Sequence, residues 1–310
     1  MEFMEVPSIR LLSWNVKPFV CLRMGDQRGF LKIFYNLRQR IHAMIDTLLP
    51  ILREASQIIL DIYADETRFN TEIKGDDSPL TEADRKANRM ICDALQDHFP
   101  EIPIISEENK AVPYEERAGY ERFFLVDPLD GTKEFIKRNG EFTVNIAYIE
   151  GHHPVGGFVY VPCTEMAYMA ERTKGAFAID INDQKTELRS KPFHLTDPGL
   201  KLVASRSHMD PLTQKIMSLL DAPEVVSTGS SLKFLLIAEG KAHFYPRLAP
   251  TMEWDTAAAQ CVLEEAGGSV VQYEDLLPLV YNKENLRNPY FLATGAMLDP
   301  ETLTNLIQQL

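Results

Sequence analysis

The residues best suited to chemistry are two aspartates, Asp127 and Asp130, in the segment 127–132 with the sequence Asp-Pro-Leu-Asp-Gly-Thr. The apolar run at 123–126 precedes them and predicts a buried strand that carries both carboxylates at its end. Because proline and glycine favour turns, we expect the chain to fold back here, so that the carboxylates and the Leu129 carbonyl converge. Oxygen-only ligation suits a hard divalent cation such as Mg²⁺. An ordinary Asp-Gly turn that closes a hairpin is the alternative.

Two further acidic positions lie where predicted elements end or begin. Glu107 follows a short predicted strand at 103–105, and active sites of layered α/β proteins collect at strand ends. A glutamate pair in a loop, here Glu107 and Glu108, is otherwise typical of solvated surface. Asp255 opens a predicted helix, and the simplest interpretation is an N-cap. A role as cation ligand is compatible with that position, with the free N–H groups of residues 256–258 facing an anion.

Together these residues predict a site for two or three hard cations, formed by Glu107, Asp127, Asp130, Asp255 and the Leu129 carbonyl. Carboxylates gathered in this way repel one another strongly without a metal. Two metals would polarise a phosphoryl oxygen and generate a nucleophile from water. Glu253 lies two residues before Asp255, so the sequence leaves open which of these acids faces the cation.

A hydroxyl and a fifth acid could move the proton of the attacking water. Thr132 ends the central segment, and its hydroxyl, held by Asp84, could accept that proton. Asp84 fits a structural role equally well, because Thr81 three residues earlier predicts a capping box at the start of a helix. The sequence does not decide between these roles.

Composition narrows the class of protein. The chain has 310 residues and a formal net charge of −13, which disfavours the coating of nucleic acid. The cysteines are scattered, which argues against zinc clusters and a disulfide framework and for a reducing, cytoplasmic compartment. No apolar run reaches transmembrane length. Walker, Gly-x-Gly-x-x-Gly and Gly-x-Ser-x-Gly motifs are missing, so triphosphate hydrolysis and acyl transfer have no support.

The elements that must position these residues predict an α/β (α+β) fold. Apolar residues at helical spacing predict a helix over 41–63, with a kink or a late start at Pro50. Thr81 precedes a second helix that ends near His98. Four strand-like segments then predict an antiparallel meander, at 143–149, 155–161, 165–170 and 175–179. After residue 196, strands and helices alternate, which predicts parallel strands.

The resulting domain prediction has three parts. Residues 1–43, with seven basic and three acidic side chains, form an N-terminal extension. Residues 44–196 form an α+β half with most of the metal ligands. Residues 197–310 form an α/β half with the last metal ligand. In this half Lys233 follows Gly229-Ser-Ser, a sequence that fits an anion nest. A helix face exposed to solvent would show the same sequence pattern. Lys74 is a further candidate for positive charge near a phosphate.

The central segment, together with Ser106-Glu107-Glu108 before it and Trp254-Asp255 after it, resembles the lithium-sensitive, magnesium-dependent inositol monophosphatase superfamily. Within that superfamily, segments 77–84, 131–146 and 229–234 resemble the bacterial 3′(2′),5′-bisphosphate nucleotidases of the CysQ type. The resemblance runs from about residue 44 to the C-terminus and leaves the first 43 residues outside it.

The resemblance implies a layered αβαβα sandwich that hydrolyses the 3′-phosphate of adenosine 3′,5′-bisphosphate to AMP, recycling a by-product of sulfate assimilation. Action on 3′-phosphoadenylyl sulfate is implied as well. By motif position, the implied Mg²⁺ ligands are Glu107, Asp127, the Leu129 carbonyl, Asp130 and Asp255, while Asp84 and Thr132 activate water. The implied substrate contacts are Glu107, Leu129, Asp130, Gly131, Thr132, Ser205, His208, Ser230, Lys233 and Asp255.

Other activities and partners fit the same residues. An inositol monophosphatase or a sugar bisphosphatase would use the same metal site, and a phosphonucleotide-binding protein without activity could use the same fold. A lone histidine such as His208 is as typical of a surface as of a ligand contact. The resemblance also implies inhibition by Li⁺ and allows peripheral association with the cytoplasmic face of the inner membrane.

Overall fold

The computed structural model describes residues 27–75, 79–204 and 209–310, and of residues 27–43 it describes the backbone alone. The chain divides into two compact units, residues 1–40 and 41–310. Most of the predicted N-terminal extension lies outside the described residues, as do the predicted substrate contacts Ser205 and His208. The further division at residue 196 stays a prediction.

The described residues form helices and strands in alternating groups. The helices are α1 (Gln27–Tyr63), α2 (Glu82–His98), α3 (Tyr114–Arg117), α4 (Thr132–Ile136), α5 (Pro211–Ser218), α6 (Leu232–Ala238), α7 (Glu253–Glu265) and α8 (Glu301–Gln308). The strands are β1 (Glu72–Ile73), β2 (Pro79–Leu80), β3 (Ile104–Ser106), β4 (Arg122–Asp130), β5 (Thr143–Glu150), β6 (His153–Val161), β7 (Met166–Glu171), β8 (Gly175–Ile179), β9 (Lys185–Glu187), β10 (Pro192–Phe193), β11 (Lys201–Val203), β12 (Glu224–Val226), β13 (Phe244–Arg247), β14 (Ser269–Gln272), β15 (Phe291–Thr294) and β16 (Ala296–Met297).

Helix α1 is longer than its apolar pattern predicts. It begins at Gln27 rather than near residue 41, and it continues through Pro50. The expected late start at Pro50 is therefore wrong. Leu48 and Leu52 are fully buried on either side of the proline. Proline has no N–H, so the helix lacks one backbone hydrogen bond at this point. Burial of the apolar face compensates for that loss and keeps the helix continuous.

The larger sheet has seven strands in the order β3-β4-β5-β6-β7-β8-β9. Strands β3 and β4 are parallel, and every later pair is antiparallel, which confirms the predicted meander. Phe124 and Val126 pack toward α1 and α2, whereas Phe123 and Leu125 pack toward α6 and α7. The apolar run of β4 is continuous because helices cover both faces of the sheet.

The smaller sheet has the order β12-β11-β13-β15-β14. Strand β11 is parallel to β12 and β13, as predicted, but β15 is antiparallel to both of its neighbours. Because β15 is antiparallel to both β13 and β14, strand β14 runs parallel to β11, β12 and β13, which confirms the predicted parallel strands. The sequence does not predict β15 itself; no helix forms between β14 and β15, so the chain returns there in the opposite direction.

The elements stack in five layers that alternate helices and sheets. Helices α1 and α2 cover one face of the larger sheet, and α6 and α7 fill the space between the two sheets. Helices α5 and α8 cover the outer face of the smaller sheet. The predicted layered αβαβα sandwich is confirmed. Within the described part of the chain, no helix has the length and hydrophobicity needed to cross a bilayer.

Candidate active site

The central acidic segment is the end of a strand rather than a tight reverse turn. Strand β4 continues to Asp130, and its register with β5 shifts between Asp127 and Asp130. Pro128 offers no N–H to the ladder, which favours such an irregularity. Gly131 then adopts φ +95°, and the chain enters α4 before it returns as β5. The expected immediate fold-back is therefore wrong, but both aspartates do reach the strand end.

Three of the predicted acids meet in space. Each of Glu107, Asp127 and Asp255 places a carboxylate oxygen within 4.8 Å of the other two. The Glu107 N–H donates to the Val126 carbonyl at 3.1 Å, which ties the residue after β3 to β4. The Asp127 Oδ1 accepts from the Leu129 N–H at 3.0 Å. Two neighbouring strands and a helix thus deliver one carboxylate each to the cluster.

Asp255 lies in the first turn of α7, although it does not open the helix. The N-cap is Met252, whose N–H donates to Asp255 Oδ2 at 2.9 Å. The N-cap alternative is therefore wrong. Residues 256–258 lie past the first turn, where helical N–H groups bond to carbonyls four residues earlier. The expectation that these N–H groups face an anion is wrong for the same reason.

The structure also separates Asp255 from Glu253. The Glu253 side chain is fully buried and accepts hydrogen bonds from the Asn282 N–H at 2.6 Å and from Lys283 Nζ at 2.5 Å. It therefore serves the loop between β14 and β15, while Asp255 joins the carboxylate cluster. This resolves the choice that the sequence leaves open.

Burial and mutual repulsion raise the pKa of all three clustered acids. Burial is the main cause, and it raises the pKa of Asp255 to about 8 and the pKa of Asp127 well above its usual value. The pKa of Glu107 is raised by burial despite the opposing effect of Lys74. A divalent cation would offset both the burial of these carboxylates and their mutual repulsion. Carboxylate oxygens are also the hard ligands that Mg²⁺ prefers. The residues therefore fit a metal site.

Asp130 is oriented differently from the clustered acids. Its Oδ2 accepts from the Ser230 hydroxyl at 2.7 Å and from the Ser231 N–H at 2.6 Å. The Gly229 N–H donates to Glu141 Oε2 at 2.8 Å. The predicted anion nest before Lys233 therefore exists, but carboxylates of the protein itself occupy its N–H groups.

Asp84 makes both of the contacts that the sequence allows. Its Oδ2 accepts from the Thr81 N–H at 2.7 Å, which completes the capping box of α2. Its Oδ1 accepts from the Thr132 hydroxyl at 3.0 Å. Burial raises the pKa of Asp84, and the hydrogen bonds from Thr81 and Thr132 oppose that rise. The same hydroxyl lies 3.3 Å from the Leu129 carbonyl oxygen.

A cavity of about 250 Å³ opens beside the carboxylates. It is lined by Asp130, Asp255 and the predicted substrate contacts Gly131, Ser230 and Lys233. A neighbouring cavity of about 530 Å³ shares residues with it, namely Glu134, Lys233, Tyr245 and Arg247. The two spaces therefore adjoin each other at residues that include two cationic side chains, Lys233 and Arg247.

Lys233 lines both cavities, so the alternative of a solvated helix face is wrong. Its Nζ donates to the Ser230 carbonyl at 3.0 Å, and burial lowers its pKa. Arg247 was not predicted. It ends β13, its Nη2 donates to the Pro250 carbonyl at 3.1 Å, and its buried Nε has no hydrogen-bond partner among the described residues. The signal in the sequence is a basic residue at the end of an apolar strand.

Comparison with known proteins places the chain in a family. Residues 41–304 match the model of the inositol monophosphatase family. The chain belongs to this family, which confirms the resemblance seen in its motifs. Metal dependence is general among its members, in agreement with the carboxylate cluster.

Individual relatives are similar over most of their length. The chain is 40% identical over 256 residues to a 3′(2′),5′-bisphosphate nucleotidase CysQ of Shigella flexneri, covering 80% of this chain and 98% of that protein. The crystal structure of CysQ from Bacteroides thetaiotaomicron matches with a TM-score of 0.68 and 41% identity, covering 79% of this chain and 94% of that one. An IMPase of Thermotoga maritima shares the fold at 22% identity, with a TM-score of 0.69 and coverage of 86% and 97%.

Proposed function

We propose that this protein is a Mg²⁺-dependent phosphomonoesterase that removes the 3′-phosphate of adenosine 3′,5′-bisphosphate to give AMP. This reaction recycles a by-product of sulfate assimilation in the cytoplasm. The observation that carries the proposal is the cluster of Glu107, Asp127 and Asp255 beside a cavity with two cationic side chains. The names of the Shigella and Bacteroides relatives support the nucleotide as substrate.

The proposed Mg²⁺ ligands are Glu107, Asp127, the Leu129 carbonyl, Asp130 and Asp255. Bound Mg²⁺ supplies charge neutralisation of the phosphoryl oxygens and lowers the pKa of water. Asp130 would hold the metal through Oδ1, because its Oδ2 accepts hydrogen bonds from Ser230 and Ser231. The hydrogen bonds to Asp127, Asp130 and Asp255 hold these carboxylates in place before the substrate arrives.

Thr132 and Asp84 provide the route for the proton of the attacking water. The Thr132 hydroxyl donates to Asp84 Oδ1, which leaves an oxygen lone pair free to accept a proton. As the water loses its proton to Thr132, Thr132 passes its own proton to Asp84. The capping box fixes the Asp84 carboxylate, so the route is aligned in the resting protein.

The two adjoining cavities, with Lys233 and Arg247 between them, support a substrate with two phosphates. The 3′-phosphate lies at the carboxylate end, against Asp130, Gly131 and Asp255. The nucleoside and its second phosphate extend along the wall that carries Lys233 and Arg247. An inositol monophosphate would leave these two cations without a phosphate partner. Ser205 and His208 are proposed contacts on the basis of the resemblance.

A substrate panel tests the proposal. Phosphate release would be measured from adenosine 3′,5′-bisphosphate, 3′-phosphoadenylyl sulfate, inositol 1-phosphate and fructose 1,6-bisphosphate, with Mg²⁺ and with EDTA. We expect the highest kcat/KM on the adenosine bisphosphate and loss of turnover in EDTA. A higher kcat/KM on inositol phosphate or the sugar bisphosphate would overturn the assignment, as would full turnover in EDTA.

A further inference from the structure

Lys74 contacts two carboxylates at once from the loop that follows β1. Its Nζ lies 2.7 Å from Glu107 Oε1 and 2.6 Å from Glu108 Oε1. The Lys74 side chain is 20% exposed and that of Glu108 is 7% exposed, so water screens this ion pair only in part. Glu107 belongs to the carboxylate cluster, whereas Glu108 is absent from it.

The Glu107 carboxylate therefore faces two demands. It lies within reach of Asp127 and Asp255, where a divalent cation would sit, and it also accepts from the Lys74 ammonium. Mg²⁺ requires nearly ideal octahedral geometry with short bonds to oxygen. An ammonium on the same carboxylate draws electron density from it and repels an approaching dication.

Glu108 offers Lys74 a second position. The ammonium has three donors, and it already bonds to Glu108 at a distance as short as that to Glu107. It can therefore leave Glu107 and remain paired. In the unliganded protein, this ammonium is the cation that holds Glu107.

We propose that Lys74 is a built-in competitor for the metal site, which holds Glu107 in the resting protein and moves to Glu108 alone when a divalent cation binds. Lys74 and Glu108 are then positioning residues that set metal affinity. The proposal rests on the metal site of the proposed function. It differs from a role for Lys74 in phosphate binding, because it requires an effect on metal affinity without substrate.

Calorimetric titration of the full chain with Mn²⁺, in the absence of substrate, tests this competition. Lys74→Met removes the competitor, and we expect its dissociation constant for Mn²⁺ to fall by about fivefold or more. Arg85→Met is the matched control. Arg85 lies in α2 and forms an ion pair with Glu72 of β1, two residues before Lys74, but it contacts none of the three clustered acids. We expect the control to change affinity by less than about twofold.

Glu108→Gln distinguishes an effect of the ion pair between Lys74 and Glu108 from an effect of the overall charge near the metal site. With Glu108 neutral, Lys74 has only Glu107 as a partner, so Mn²⁺ should bind about threefold more weakly or worse. In the Lys74→Met background the same substitution should have a much smaller effect. An equal effect of Glu108→Gln in both backgrounds would overturn the proposal.

The remaining outcomes are also decisive. Unchanged or weaker Mn²⁺ binding by Lys74→Met would overturn the competition while leaving the metal site intact. An equal gain in Lys74→Met and Arg85→Met would assign the effect to bulk charge and would also overturn it. A wild-type protein that binds no Mn²⁺ would instead overturn the metal site and the proposed function with it.

Discussion

The Asp84 carboxylate accepts a hydrogen bond from the Thr132 hydroxyl at 3.0 Å, across 48 residues of sequence. Its other oxygen caps α2 through Thr81. One side chain thus joins the start of α2 to the start of α4. The structural and the chemical interpretation of Asp84 do not compete, because each uses a different oxygen. This contact is the basis of the proposed proton route.

Removal of the Thr132 hydroxyl should slow the reaction without unfolding the protein. We expect Thr132→Ala to lower kcat by about 10²-fold to 10⁴-fold, the usual contribution of general acid–base groups. Thr132→Ser keeps the hydroxyl and should retain most of the activity. Steady-state phosphate release, with melting temperature as the check of folding, measures both variants. A Thr132→Ala enzyme with nearly normal kcat would exclude the proton route.

Neutralisation of Asp127 should stabilise the metal-free protein while it abolishes activity. Asp127 is buried and repelled by Glu107, Asp130 and Asp255, which raises its pKa. In EDTA we expect Asp127→Asn to melt about 2 to 4 °C above the wild type, the shift that about 1 kcal/mol produces. Mg²⁺ should raise the melting temperature of the wild type and leave that of the variant unchanged.

The matched control is Asp93→Asn, which neutralises an exposed aspartate on α2. It should change neither the melting temperature in EDTA nor the response to Mg²⁺. If Asp127→Asn melts below the wild type in EDTA, repulsion within the carboxylate cluster does not limit stability.

Arg247 should determine affinity for the second phosphate. We expect Arg247→Met to raise KM for adenosine 3′,5′-bisphosphate by about tenfold, since a charge-assisted hydrogen bond contributes about 1.5 kcal/mol or more. For adenosine 3′-monophosphate, which lacks the second phosphate, KM should change little. The two substrates are compared by phosphate release on the same preparation. An equal rise in KM for both would place Arg247 elsewhere in the site.

The contribution of Glu264 to the free energy of unfolding should fall as pH rises from about 4.5 to about 7. Burial raises its pKa from 4.5 to about 7, with a hydrogen bond from Gln260 opposing the rise. The native state thus holds a proton that the unfolded chain has lost, so this carboxyl destabilises the fold increasingly from pH 4.5 to 7 and constantly above. Glu264→Gln removes this cost while keeping an acceptor for Gln260.

Denaturant unfolding at several pH values measures this linkage. We expect Glu264→Gln to match the wild type near pH 4.5 and to exceed its free energy of unfolding by about 1 kcal/mol at pH 8, since Glu264 is only partly buried. A constant difference across the range would contradict the cause assigned to the raised pKa.

The sequence predicts most of the fold because the signals are local. The apolar run before Asp127 predicts β4, and Thr81 with Asp84 predicts the start of α2. The sequence prediction fails where distant packing decides, as at Pro50, where buried neighbours keep the helix continuous, and it leaves out β15, which is inserted between β13 and β14.

The candidate site divides in the same way. Asp127 and Glu107 are predicted because each follows an apolar strand. The choice between Asp255 and Glu253 is not predictable, because it depends on which side chain reaches the loop at Asn282. The contact between Lys74 and Glu107 joins two loops, and no periodicity in the sequence indicates it.

Anomalous diffraction from a Mn²⁺-soaked crystal tests the central claim most directly, because it locates the metal relative to the carboxylates. We predict a peak between Glu107, Asp127 and Asp255, bonded to an oxygen of each. A crystal at saturating Mn²⁺ with no peak among these three residues would contradict the metal site and the phosphatase reaction built on it.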